Sequence, residues 1–188
     1  MKNIFGLSVV LLILSTLSTV VLAEQPFYVG GGIGESYVEE DNVLAGEDFD
    51  DEDFGFKAFA GYRFHKNFAV ELDYLDYGDP DDNILGIDIE IEDLYAVALY
   101  GVGILPLSDQ FELFVKLGGA YWDGKAKATV MGLSASSSED GTELAYGLGA
   151  SFAFTDKFAV RVEYEEIDVD SDDLSKLGLF TVGGGLRF

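Results

Sequence analysis

Alternation constrains this chain more than any other feature. Residues 176–188, KLGLFTVGGGLRF, read with period two. Gly178, Phe180, Val182, Gly184, Leu186 and Phe188 share one face, and Leu179, Thr181, Gly183, Gly185 and Arg187 share the other. One face is bulky and apolar; the other is small, with a cation near its end. Apolar residues make up 48% of the sequence, yet past the N-terminal leader they form no long run. A chain with its hydrophobicity distributed this way can bury it only as strands, one face at a time.

The N-terminus reads differently. Lys2 is the only charge before Glu24, residues 4–14 are mostly apolar, and Val21-Leu22-Ala23 is a small-residue cleavage site. Residues 1–23 are expected to be a secretory signal peptide, and residues 24–188 a single domain. Cysteine is absent, so a secreted chain of this size must be held by backbone hydrogen bonds and packing. Acidic residues outnumber basic ones 35 to 11, a net charge of −24, which argues against nucleic acid as a partner.

Eight strands are predicted, at 27–39, 53–64, 67–77, 87–105, 110–127, 142–155, 157–169 and 176–188. The connections alternate in length. Residues 65–66, 106–109 and 156 are short; 42–52, 78–86, the serine-rich 128–141, and 170–175 are long. Short turns at one end and long loops at the other describe a meander threaded through a membrane, with the turns and both termini in the periplasm. In the strands around Lys57, Glu71, Lys116 and Arg161 the charges fall opposite a continuous apolar face, and glycines mostly share the charged side. Aromatics gather at strand ends on the apolar face. The charges are therefore placed in the lumen and the apolar face against lipid. In the fourth strand Ile87, Ile89, Ile91, Tyr95, Val97 and Leu99 share parity, but so does Asp93, and a bulge there would resolve the conflict.

The segments GYRFHKNFAVELDYLDYGD, LPLSDQFELFVKLGGAYW and AYGLGASFAFTDKFAVRVEYEE resemble hairpins of the small outer-membrane β-barrel family. That family includes the transmembrane domain of outer-membrane protein A and the opacity-type porin-like proteins. The resemblance implies an all-β fold, an eight-stranded antiparallel transmembrane up-and-down barrel in the outer membrane of a Gram-negative envelope. It implies lipids, lipopolysaccharide and the barrel-assembly machinery as partners, and a monomer as the assembly state. Phe188 resembles the terminal aromatic that the assembly machinery reads in such barrels. The sequence stops at the barrel, so a wall-anchoring role is not expected to carry over.

Little chemistry is foreseen. The only histidine, His65, falls in a periplasmic turn beside Lys66, and no carboxylate spacing marks a general-base pair. No enzyme activity and no cofactor are expected. The runs Gly30-Gly31-Gly32-Ile33-Gly34 and Gly183-Gly184-Gly185 lack the rest of a phosphate loop and open no helix, so they read as close-packed strand glycines. Residues 39–53 hold nine acids and no base, as do residues 73–93. Asp79, Asp81, Asn83 and Glu90 match four positions of a calcium loop. Ile84 stands where that loop needs glycine, and the flanks are strands, which excludes an EF-hand. A solvated acidic loop face is the favoured reading, with weak divalent-cation binding near lipopolysaccharide phosphates as the alternative. Lys57, Arg63, Glu71, Glu112, Lys116, Arg161 and Glu163 are expected to form a lumen network, with Arg161 paired to Glu163 or to a nearby carboxylate such as Glu143. Paired, these charges plug the barrel and the role is structural, with acidic loops presented outside. Wet, they line a narrow channel for small solutes or ions.

Overall fold

The computed structural model describes residues 26–39, 50–78, 81–84, 87–130, 133–169 and 176–188. The strands are β1 (Phe27–Glu39), β2 (Asp50–His65), β3 (Phe68–Asp76), β4 (Asp81–Ile84), β5 (Ile87–Pro106), β6 (Phe111–Val130), β7 (Leu133–Ala153), β8 (Phe158–Asp168) and β9 (Lys176–Arg187). Each pairs antiparallel with its neighbours. β3 and β4 pair in succession with β5, at residues 95–103 and 87–90, so together they make one stave of the wall. β1 and β9 close the ring from Glu39↔Lys176 to Tyr28↔Arg187. The result is a closed, eight-stave barrel whose every interior strand edge is paired.

Period two sets the two surfaces. On β3, Ala69, Glu71, Asp73 and Leu75 are buried, and Phe68, Val70, Leu72 and Tyr74 stand outside. Around the wall Leu99, Val115, Leu117 and Leu148 are each more than 60% exposed. A continuous apolar exterior of this kind is stable only against hydrocarbon. Aromatic contacts rim it at both ends. Phe64 stacks on Phe68 at 6.4 Å near the short turns, and Tyr74 on Tyr95 at 5.9 Å near the far end.

The fifth strand contains the anticipated bulge. Glu92 pairs with Lys125 but Tyr95 with Asp123, so β5 carries one residue more than β6 across that step. A one-residue slip exchanges the faces beyond it. One expectation is corrected. Residues 128–130 and 133–141 are strand and not loop: β6 and β7 stay paired out to Val130↔Leu133, a ladder that continues far past the apolar belt. Similarly, β4 occupies part of 78–86. The expected leader and most of the 42–52 and 170–175 loops lie outside the described residues.

The interior has three layers. Nearest the short turns lies a cavity of about 460 Å³, lined in part by Tyr28, Phe59, Arg63, Glu112, Phe114 and Arg187. Above it is a band of buried charges. Above that, Leu75, Leu94, Trp122, Ile167, Leu177 and Leu179 pack into an apolar core with at most 2% exposure each. Glycine makes room for the wide rings in this narrow space. A Cβ on Gly149 would collide with the ring of Phe114, and one on Gly30 with that of Phe59.

Candidate functional site: a buried ion-pair septum

Four staves supply the charged band: Lys57 from β2, Glu71 and Asp73 from β3, Lys116 from β6, and Arg161, Glu163 and Glu165 from β8. Alternation turns each of them inward, and the narrow diameter brings opposite walls within bonding reach. Lys116 Nζ lies 2.7 Å from Asp73 Oδ2 and 3.0 Å from Glu165 Oε1, and it also contacts Glu71 and Glu163. Lys57 Nζ lies 3.0 Å from Asp73 Oδ2 and 3.1 Å from Glu163 Oε1, and it contacts Glu165. Arg161 donates a forked pair to Glu71, Nη1 to Oε2 at 3.0 Å and Nη2 to Oε1 at 3.3 Å, with Glu163 Oε2 at 3.2 Å. Its guanidinium sits between Phe59 and Phe114, 4.2 and 4.4 Å from their ring centres.

These side chains are almost wholly removed from solvent; the two lysines and four carboxylates keep at most 2% of their side-chain exposure. Charges so buried persist only when each is met by an opposite charge and by hydrogen bonds. Three cations face four carboxylates, and every carboxylate touches at least one ammonium or guanidinium. Oxygens of Glu71, Asp73 and Glu163 converge closely enough to hold a metal ion. Lys116 Nζ contacts all three and supplies the cation there.

The structure divides the seven anticipated charges. Lys57, Glu71, Lys116, Arg161 and Glu163 meet in the septum. Arg63 and Glu112 meet lower down, at 3.0 Å, where Arg187 joins the same carboxylate. Asp73, Glu165 and Arg187 are additions. Their parity placed them inside, with Glu71, Glu163 and Thr181, and that signal was sufficient to find them. Arg161 does contact Glu163, but its forked partner is Glu71 on the opposite wall, not Glu143. Ser151, not Glu143, is the β7 residue beside Arg161. His65 serves its turn, its Nδ1 accepting a hydrogen bond from the Asn67 amide at 3.2 Å. Of the calcium-loop residues, Asp81 and Glu90 are backbone partners across the β4–β5 hairpin. Asp79 and the side chains of Asp81, Asn83 and Glu90 lie outside the described residues. At the seam, Phe188 exchanges backbone hydrogen bonds with Phe27 at 2.9 and 3.1 Å and stacks on its ring at 6.4 Å.

A closed barrel of eight staves, apolar outside and ionic within, defines a transmembrane barrel of the outer-membrane type. The chain belongs to the outer membrane protein β-barrel domain family, whose model matches residues 8–188. Outer membrane protein A of Yersinia pseudotuberculosis is 26% identical over 200 residues, covering 100% of this chain and 55% of that protein. This chain thus spans about half the length of the outer membrane protein A relatives it matches. A protein of Haemophilus influenzae without an assigned role is 26% identical over 184 residues, 95% of this chain and 97% of its own. Among solved structures, Ail, the attachment invasion locus protein of Yersinia pestis, in complex with the heparin analogue sucrose octasulfate, superposes with a TM-score of 0.62. It is 27% identical and covers 88% of this chain and 100% of Ail. OprG of Pseudomonas aeruginosa shares the fold, with a TM-score of 0.62 at 17% identity, over 89% of this chain and 97% of its own. The protein is located in the outer membrane, with its apolar belt in the lipid.

Proposed function

We propose that this barrel is a closed, non-enzymatic structural element of the outer membrane that presents acidic extracellular loops. The observation that carries the reading is the interior: an ionic septum and an apolar core lie one above the other across the lumen. Septum carboxylates are all engaged with cations, and none is placed to act on a substrate. Phe188, on the outer face of the closing seam, is the residue proposed to signal assembly. The loops are the proposed contact surface. Ail was solved with a sulfated heparin analogue; here residues 39–53 carry nine acids and residues 74–93 eight, with no base in either. A polyanion would be repelled by such a surface. Divalent cations, bridging to lipopolysaccharide phosphates, or a cationic surface on another cell fit it instead.

The reading is tested by removing the protein from its host and following uptake of a hydrophobic fluorescent dye by intact cells. Uptake should rise, and wild-type protein should restore the barrier. A deletion strain with an unchanged barrier and unchanged sensitivity to chelators would remove the structural role. A narrow channel for small solutes is the competing reading, and it requires both interior layers to open.

A further inference from the structure

The septum is one cation short. Among the described residues, Lys57, Lys116 and Arg161 face Glu71, Asp73, Glu163 and Glu165, while Arg63 and Arg187 engage Glu112 lower down. The shortage falls on the upper tier. The next inward residues on β3 and β8 are Leu75 and Ile167, so Asp73 and Glu165 are the last charges below the apolar core. Arg161 serves Glu71 and Glu163 and leaves this upper pair to the lysines. Lys57 and Lys116 both reach Asp73 Oδ2, and each contacts one oxygen of Glu165. Asp73 Oδ1 is then the one oxygen of the two groups that no donor meets, on a side chain with no exposure. The two carboxyl groups lie within hydrogen-bonding reach of each other. Two carboxylates that share a dry site do not both stay ionised.

The groups around the pair offer no further charge to balance it. Lys57 faces it from β2, Glu71 and Tyr77 from β3 and the residue past its end, Tyr100 from β5, Lys116 from β6, and Glu163 with Arg161 from β8. Tyr28 of β1 stands beside Glu71. β7 and β9 bring Gly147 and Leu179 next to Glu165, and neither titrates. The hydroxyls of Tyr77 and Tyr100 are buried without a partner and do not donate to Asp73.

We infer that the septum is a proton-binding site: one proton, held between Asp73 and Glu165, completes the three cations and four carboxyl groups as a neutral assembly. The proton sits on Asp73 Oδ1 and is donated to Glu165, while Oδ2 keeps both lysines. A metal ion does not take this place, because Lys116 Nζ already fills the point where Glu71, Asp73 and Glu163 converge.

The test is infrared spectroscopy of the full chain in a detergent without ester groups. At neutral pH, where exposed carboxylates are ionised, the wild type should show a carboxylic-acid C=O band. Isotope labelling of the aspartate and glutamate carboxyl carbons should move that band, and Asp73→Asn should remove it. A wild-type spectrum without the band would overturn the proposal. Unfolding in urea gives a second readout. The amide of Asp73→Asn is uncharged and can still donate to Glu165, so its folding equilibrium at neutral pH should stay within about tenfold of the wild type. Glu71→Gln, which breaks the fork to Arg161, should shift that equilibrium by at least about a hundredfold. Folding of the wild type takes up a proton that folding of Asp73→Asn does not. As the pH rises from neutral, the wild type should therefore lose about tenfold in folding equilibrium per pH unit relative to the variant. Equal losses for Asp73→Asn and Glu71→Gln, or parallel pH dependences of wild type and Asp73→Asn, would each overturn the proposal. So would a stabilisation by sodium over choline, at equal ionic strength, that Asp73→Asn abolishes, since a metal cation would then stand in the proton's place. The spectrum of the wild-type chain decides the matter even if a variant fails to fold.

Discussion

Arg161 is held by Glu71, Glu163 and two aromatic faces. Arg161→Ala leaves Glu71 and Glu163 with Lys116 and Lys57 alone, in a space already short of positive charge. Breaking a buried pair in this way typically costs about 3–5 kcal/mol. Urea unfolding of the refolded barrel in detergent should show a loss of that size. Arg63→Ala makes an informative contrast. Glu112 keeps Arg187 and lies nearer water, so the loss should be about 1 kcal/mol, the value of an ordinary hydrogen bond. Equal losses for the two variants would mean that the septum is as wet as the cavity below it. Parity placed every one of these side chains on the inner face. It could not pair them across the lumen: Glu71 is 90 residues from Arg161, and their meeting depends on barrel stagger, which a single strand does not encode.

Among the elements, β9 has the most specific duty, since it closes the ring against β1. Phe188 ends it with two backbone hydrogen bonds and one ring contact, a modest contribution to a finished barrel. Deleting Phe188 should therefore lower outer-membrane levels in cells far more than it lowers stability in detergent. Normal cellular levels of the deletion variant would show that this residue is not an assembly signal. The β6–β7 hairpin gives a topological test. A tag inserted between Val130 and Leu133 should be labelled on intact cells, and one at His65 should not; the reverse pattern would invert the barrel. Strand positions were legible because lipid and lumen impose a strict period of two, and even the β5 bulge showed as the misplaced parity of Asp93. The hairpin extension was not legible. Serines at 134 and 136–138 carry weak strand propensity and suggest a loop, but here the backbone ladder continues regardless of propensity.

At the scale of the whole molecule, the barrel is layered along its axis, and the layering explains its closed state better than the charges do alone. Leu177, Leu179, Trp122 and Ile167 seal the lumen above the septum, so loss of one ion pair should not by itself open a pore. Alternation within a strand marks only one inward face and does not divide it into layers. Parity puts Leu179 inside with Arg187, and Trp122 inside with Lys116, yet their common height depends on the register between strands that sequence leaves unset. The central claim is a lumen closed twice. Its most direct test is the current carried by the purified full chain in a planar bilayer bathed in molar KCl. The account predicts no unitary steps for the wild type and none for Arg161→Ala. Stable ohmic steps from the wild-type protein would contradict it and establish the channel.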